Sequence, residues 1–146
     1  MGKSGVSLHW GGLDKALGRA TGKLGNTQAL MESVGDALVS GTLKRFDAEE
    51  EPTGKKWPKS KRAAKEGGQT LTDKAFLRRS IDYAATPEKV MVGSNLPYAR
   101  IHQLGGKTGK GHKVDMPARP YLGVSKEDME EVRETMADFL AGAFKA

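Results

Sequence analysis

Leu30, Val34, Ala37 and Leu38 recur at three- and four-residue spacing, the period of a helix with one buried face. Leu43 and Phe46 extend that face. The side-chain oxygen of Asn26 or Thr27 can accept from the free amides of a first turn. A helix is therefore expected over residues 26–46. Gly35 and Gly41 fall inside it, and each weakens a helix by roughly 1 kcal/mol relative to Ala. Close packing against a neighbouring element would explain tolerating them.

Residues 47–72 carry no apolar period. They hold Glu49-Glu50-Glu51, then Pro52, Gly54, Pro58 and Gly67-Gly68. A long polar loop is expected there, of the kind that is usually functional or disordered. Next, Leu77, Arg79, Ile81, Tyr83 and Ala85 share one face of an extended segment, an apolar alternation interrupted at Arg79. Thr86-Pro87-Glu88 turns the chain into a second strand over 89–92, with Val90 and Val92 on one side. Gly93-Ser94-Asn95 ends it.

Residues 98–104 read as a short helix or turn, stopped by Gly105-Gly106. A flexible tip rich in Gly and Lys follows over 107–113. Residues 114–124 read as a third extended segment, which Pro117 and Pro120 limit to an edge or a bulged pairing. The last helix is the clearest element. Ser125 can cap it, and Asp128 stands where a capping box normally has Glu or Gln. Met129, Val132, Met136, Phe139, Leu140 and Phe144 form its apolar stripe. This order predicts an α+β fold: a small antiparallel sheet or partial barrel packed with two long helices, plus a long basic loop. One domain over 1–146 is expected, with residues 1–25 flexible.

Composition adds that the core is modest. The hydrophobic share is 37% and the aromatic share 6%, with 19 Gly, so a partner is expected to order some of the polar loops. There is no Cys, which removes disulfides and thiolate metal sites. No apolar run is long enough to span a bilayer, and residues 1–12 hold no signal-peptide core. The chain is expected to be made and kept in a cytoplasm, with no membrane partner.

Charge is uneven. The net is +6, yet residues 55–79 hold nine basic and two acidic side chains, a local +7. Residues 125–146 hold three basic and six acidic ones, a local −3. A protein that stacks copies of itself in a ring could use that asymmetry head to tail. A basic stretch also attracts nucleic acid nonspecifically. Its basic part over residues 55–65 has one aromatic residue, Trp57, where single-strand binders use several stacking rings, so a basic nucleic-acid-binding accessory protein is only the alternative reading. Trp57 is expected to be a docking ring, filling a partner's pocket while lysines steer the approach.

Catalytic chemistry finds little support. Gly105-Gly106-Lys107-Thr108-Gly109-Lys110-Gly111 superficially resembles a phosphate loop, but neither register places Gly-Lys-Ser/Thr after the fourth spacer residue. His9, His102 and His112 form no HExxH or Cys/His spacing. No Ser sits in a nucleophile elbow. The expectation is a non-enzyme with no cofactor and no metal.

One stretch is distinctive: Val92-Gly93-Ser94, then Tyr98-Ala99, Ile101-His102-Gln103 and Gly105-Gly106, followed by Pro117-Ala118-Arg119-Pro120-Tyr121-Leu122-Gly123. With Pro52, Gly54 and Trp57 upstream, this resembles the virion-morphogenesis and tail-completion family of Mu-like and related contractile-tailed phages. The likeness spans roughly residues 27–140. It departs at Asp73-Lys74-Ala75-Phe76-Leu77, where family members often carry a Gly. The resemblance implies a structural virion protein that completes the tail at its head-proximal end or joins tail to head. Its partners would be further copies in a ring, six by analogy with tail symmetry, and the tail tube, terminator or head connector. It would reside in the virion's tail or neck after assembly in the host cytoplasm. The candidate interface and structural residues are Trp57, Tyr98, His102, Gln103, Arg119 and Tyr121. Tyr98 and His102, four apart, share a helical face and can pack and hydrogen-bond together. Pro117 and Pro120 hold the fork of Arg119 in a rigid frame.

Overall fold

A computed structural model describes residues 4–7 and 27–144. In chain order the elements are β1 (Ser4–Ser7), α1 (Gln28–Ala48), α2 (Lys61–Glu66), α3 (Phe76–Ser80), β2 (Asp82–Ala85), β3 (Val90–Ser94), α4 (Ala99–Leu104), β4 (Gly106–Thr108), a 3-10 turn at Lys110–His112, β5 (Val114–Met116) and α5 (Lys126–Phe144). The fold is α+β. Of the segment 1–25, Ser4–Ser7 pair as a strand and the remainder lies outside the described residues.

Helix α1 is the spine. Leu30, Met31, Val34, Leu38, Arg45 and Phe46 are buried along it, following the apolar period into the last turn. Glu49 then turns left-handed and its N–H closes on the Arg45 carbonyl. The amino-terminal end differs from expectation. Thr27 is the cap residue, but its hydroxyl makes no capping bond and donates instead to the Pro87 carbonyl. The helix start is thereby tied to the β2–β3 turn.

The two glycines of α1 have the expected packing reason. A Cβ at Gly35 would stand 2.3 Å from the Tyr83 ring, and one at Gly41 would stand 1.9 Å from the Asp128 carboxylate. Gly35→Ala would gain helix propensity of up to about 1 kcal/mol in open helix. Here it must displace a ring held by a strand, which typically costs about 1–3 kcal/mol. A net loss of stability is expected in urea unfolding. A variant more stable than the parent would show that Tyr83 moves aside freely.

Strands β1, β3 and β2 form an antiparallel sheet in that order, with Tyr83 opposite Val92. Val90, Val92 and Ser94 turn inward onto α1, as the alternation requires. The first predicted strand begins late, however. Residues 76–80 form a helical turn, entered through Ala75 in a left-handed conformation. Leu77 and Ile81, four apart, satisfy a helical spacing as well as an alternating one, and both are buried. The helical turn leaves Arg79 in solvent, where an extended strand would have directed it inward. Arg79 is thus what decides between the two.

The 47–72 connection is not an open loop. Glu50 and Lys56 bridge, and Trp57 N–H donates to the Glu49 carbonyl at 2.8 Å. Ser60 caps α2 by accepting from Ala63 N–H. The Glu49 carboxylate accepts from Thr70 N–H at 2.6 Å, and the Thr70 hydroxyl accepts from Ser60 N–H. Much of the order here comes from polar bonds, which leave no apolar period to read.

The glycine-rich tip is a hairpin, β4 against β5 with Thr108 opposite Val114. The extended segment expected over 114–124 pairs only in β5. Beyond it, backbone groups of residues 121–123 are taken by side chains of α1 and α4. Helix α5 opens with the reciprocal pair foreseen at its start: Asp128 N–H donates to the Ser125 hydroxyl, and Ser125 N–H to the Asp128 carboxylate. It packs on α1 through Val132 and Met136. Among the described residues no helix is long and apolar enough to cross a membrane.

Candidate functional site

The distinctive residues converge where α4, the base of the β4–β5 hairpin and residues 117–123 meet. Gln103 on α4 is the clamp. Its side-chain carbonyl accepts from Tyr121 N–H at 3.0 Å and Leu122 N–H at 2.9 Å, and its amide donates to the Leu122 carbonyl. A glutamine satisfies a stretch of backbone here as a neighbouring strand would. Gly105 ends α4 with φ +70, and a Cβ there would meet Ala118 N at 2.7 Å, so only glycine permits this approach.

Tyr121 is fully buried. Its hydroxyl donates to the Ala99 carbonyl at 2.8 Å, and its ring tilts on Phe46 at 5.4 Å. Burial pushes its pKa up to about 12, so the hydroxyl stays a donor. Trp57 also packs on Phe46, edge-to-face at 5.5 Å, and its indole N–H donates to the Pro120 carbonyl at 2.8 Å. The ring is only 6% exposed. This corrects the expectation of an exposed docking ring: Trp57 is spent on its own core, between the Phe46 ring and the Pro120 carbonyl.

Arg119 donates through Nε to the Pro58 carbonyl at 2.6 Å, while its backbone N–H donates to the His102 carbonyl at 2.7 Å. It thus joins the 47–72 segment to α4. It is 5% exposed, and among the described residues no carboxylate reaches it. Burial lowers its pKa. His102 and Tyr98 meet edge-to-face at 6.0 Å, and no hydrogen bond joins them, contrary to expectation. His102 Nδ1 is buried without a partner, and burial, then the nearby Arg119 charge, lowers the imidazole pKa. Both effects favour the uncharged imidazole.

Trp57, Gln103, Arg119 and Tyr121 form one buried joint, with Tyr98 and His102 at its edge. Most of its polar bonds go to backbone carbonyls and amides, so the arrangement holds chain segments in place.

The sequence reading missed Arg45. Its Nη1 meets the Asp128 carboxylate at 2.6 Å, with both side chains buried. Nε donates to the Tyr121 carbonyl, and Nη2 to the Gly123 carbonyl and the Thr42 hydroxyl. One signal was available: Arg45 lies in the last turn on the face that Leu38 and Phe46 bury. Among the described residues no group of three His, Asp or Glu could hold a metal ion.

Residues 8–141 match the phage virion morphogenesis family. The chain belongs to this family. It is similar to Mu-like prophage FluMu G protein 2 of Haemophilus influenzae, 33% identical over 127 residues, covering 87% of this chain and 88% of that protein. It is also similar to the putative capsid assembly protein G of Escherichia phage Mu, 29% identical over 134 residues, covering 85% and 86%. No solved structure matches it. As a member of the virion morphogenesis family, the protein has a structural role in assembling the phage particle. The buried joint falls within the matched residues, so its geometry is a property of a virion morphogenesis chain.

Proposed function

We propose that this protein completes the phage tail at its head-proximal end, or joins tail to head, as a ring-forming structural subunit. The observation that carries the reading is the buried joint. The motif residues that resemble the tail-completion family are spent on one task, fixing the 117–123 segment and the base of the β4–β5 hairpin to the α1 core. The hairpin is thereby presented from a rigid body, with Val114 and Leu104 exposed at its root. A rigid, partly apolar projection suits contact between subunits, because little ordering remains to be done on docking. Tail tube, terminator or head connector are the proposed partners, and the neck of the virion the proposed location. The basic stretch serves protein contacts in this reading.

Deleting the gene for this protein should leave filled heads and separate tails in infected cells, counted by negative-stain microscopy. Normal yields of intact, infectious particles would overturn the reading.

A further inference from the structure

We propose that the cavity walled by Phe76, Tyr98, His102 and Arg119 is a socket for helix α5 of a second copy, entered by an acidic stripe on that helix. The assignment rests on the ring reading above and supplies its contact.

The cavity, about 330 Å³, opens between residues 60–77 and the base of the β4–β5 hairpin. Two of its features call for an occupant. Phe76 is 58% exposed and Tyr98 also stands in solvent, although both rings line the same hollow. Exposed large rings around a concavity mark a contact surface more often than a bare surface does. The second is Arg119, a nearly buried cation with no acid partner among the described residues. A desolvated guanidinium gains from a carboxylate far more than an exposed one does. Of the lining residues, Lys74 is exposed and forms no ion pair with a described residue, and the same holds for Lys61, the chain neighbour of the lining residues Ser60 and Arg62; the carboxylate in the lining, Asp73, stands 3.8 Å from Arg62.

The occupant needs carboxylates on a narrow element. Helix α5 has them in line: Glu127, Glu131, Glu134 and Asp138 follow at spacings of four, three and four, on one exposed face. The stripe is about 16 Å long at helical rise. None of the four forms an ion pair with a described residue. The opposite face of α5 is already used, with Val132 and Met136 buried in the core. No stripe residue lines its own chain's cavity. Each copy therefore carries one socket and one unmet stripe on different elements, a heterologous pair that closes into a ring when the rotation per copy permits. Nucleic acid would satisfy the lysines, but it would leave the stripe unpaired and repelled.

The test uses the full chain and two charge reversals on exposed positions, Lys61→Glu with Lys74→Glu, and Glu131→Lys with Glu134→Lys. Association is read by mass photometry over a range of salt. The parent should form rings that salt weakens, and each variant alone should associate at least about tenfold more weakly, the scale of losing close charge pairs. Mixed in equal amounts, the two variants should recover assembly, because the reversed stripe then meets the reversed socket in alternating copies. Parent-like rings from either variant alone, or no recovery on mixing, overturn the socket while leaving the ring reading standing. A parent that stays monomeric at every concentration and in the particle overturns both. Retention of DNA by a monomeric parent, lost in the lysine variant, overturns the socket in favour of nucleic acid.

Discussion

Asp128→Ala is expected to remove about 3–5 kcal/mol of folding free energy, the cost of stranding one partner of a buried ion pair. Arg45 cannot follow its partner into water, because the same guanidinium is bonded to the Tyr121 and Gly123 carbonyls and sits against Thr42. The carboxylate also accepts from Ser125 N–H, so that half of the reciprocal pair at the α5 start is lost with it, a further contribution of about 1 kcal/mol, while the bond from residue 128 N–H to the Ser125 hydroxyl stays. A domain this size has roughly 5–15 kcal/mol in total, so a large part of its stability rests at one carboxylate. Replacing both partners by apolar residues often restores or raises stability where a pair merely fills space. That outcome is not expected for Arg45→Met with Asp128→Leu, since two backbone carbonyls would lose their donor. Urea unfolding of parent, single and double variants decides. A loss below about 1 kcal/mol for Asp128→Ala, with an unchanged slope, would place the pair with ordinary surface ion pairs.

Trp57→Ala is expected to cost about 3–5 kcal/mol, the range for deleting a large buried ring. The indole packs edge-to-face on Phe46 and bonds the Pro120 carbonyl, so its removal opens a cavity beneath residues 117–123 and unpins the 47–72 segment. Assembly defects should then follow lost folding and be no larger than it explains. Thermal unfolding and particle completion on one variant check this. A melting temperature equal to the parent's, with assembly abolished, would return Trp57 to the docking role that the sequence suggests.

What could be read in advance follows from where the order comes from. Helices α1 and α5 bury apolar stripes, and a stripe is written in the sequence; Leu30 through Phe46 and Val132 with Met136 were legible for that reason. The packing need behind Gly35 and Gly41 was legible too, but the partners, Tyr83 and Asp128, were not, because spacing along the chain carries no record of which distant group arrives. Trp57 misled for a related reason. Its surroundings are polar along the chain and apolar in space, supplied by Phe46 and by the Pro120 backbone. The short helix at Phe76–Ser80 was hidden because Leu77 and Ile81 fit both periods. At the site, the resemblance singled out Gln103, Arg119 and Tyr121 as residues. Their bonds run mostly to backbone carbonyls and amides, which every residue possesses and no sequence marks.

The Arg45–Asp128 link has a consequence for synthesis. Its partners are 83 residues apart, and a ribosome adds roughly 5–20 residues per second, so α1 waits roughly 4–17 s for the carboxylate that neutralises it. Throughout that interval the apolar face of α1 has no α5 to cover it, and Phe46 has no Tyr121 beside it. The nascent chain thus carries an uncovered apolar face until its last helix is made, and slower translation between α1 and α5 lengthens that exposure.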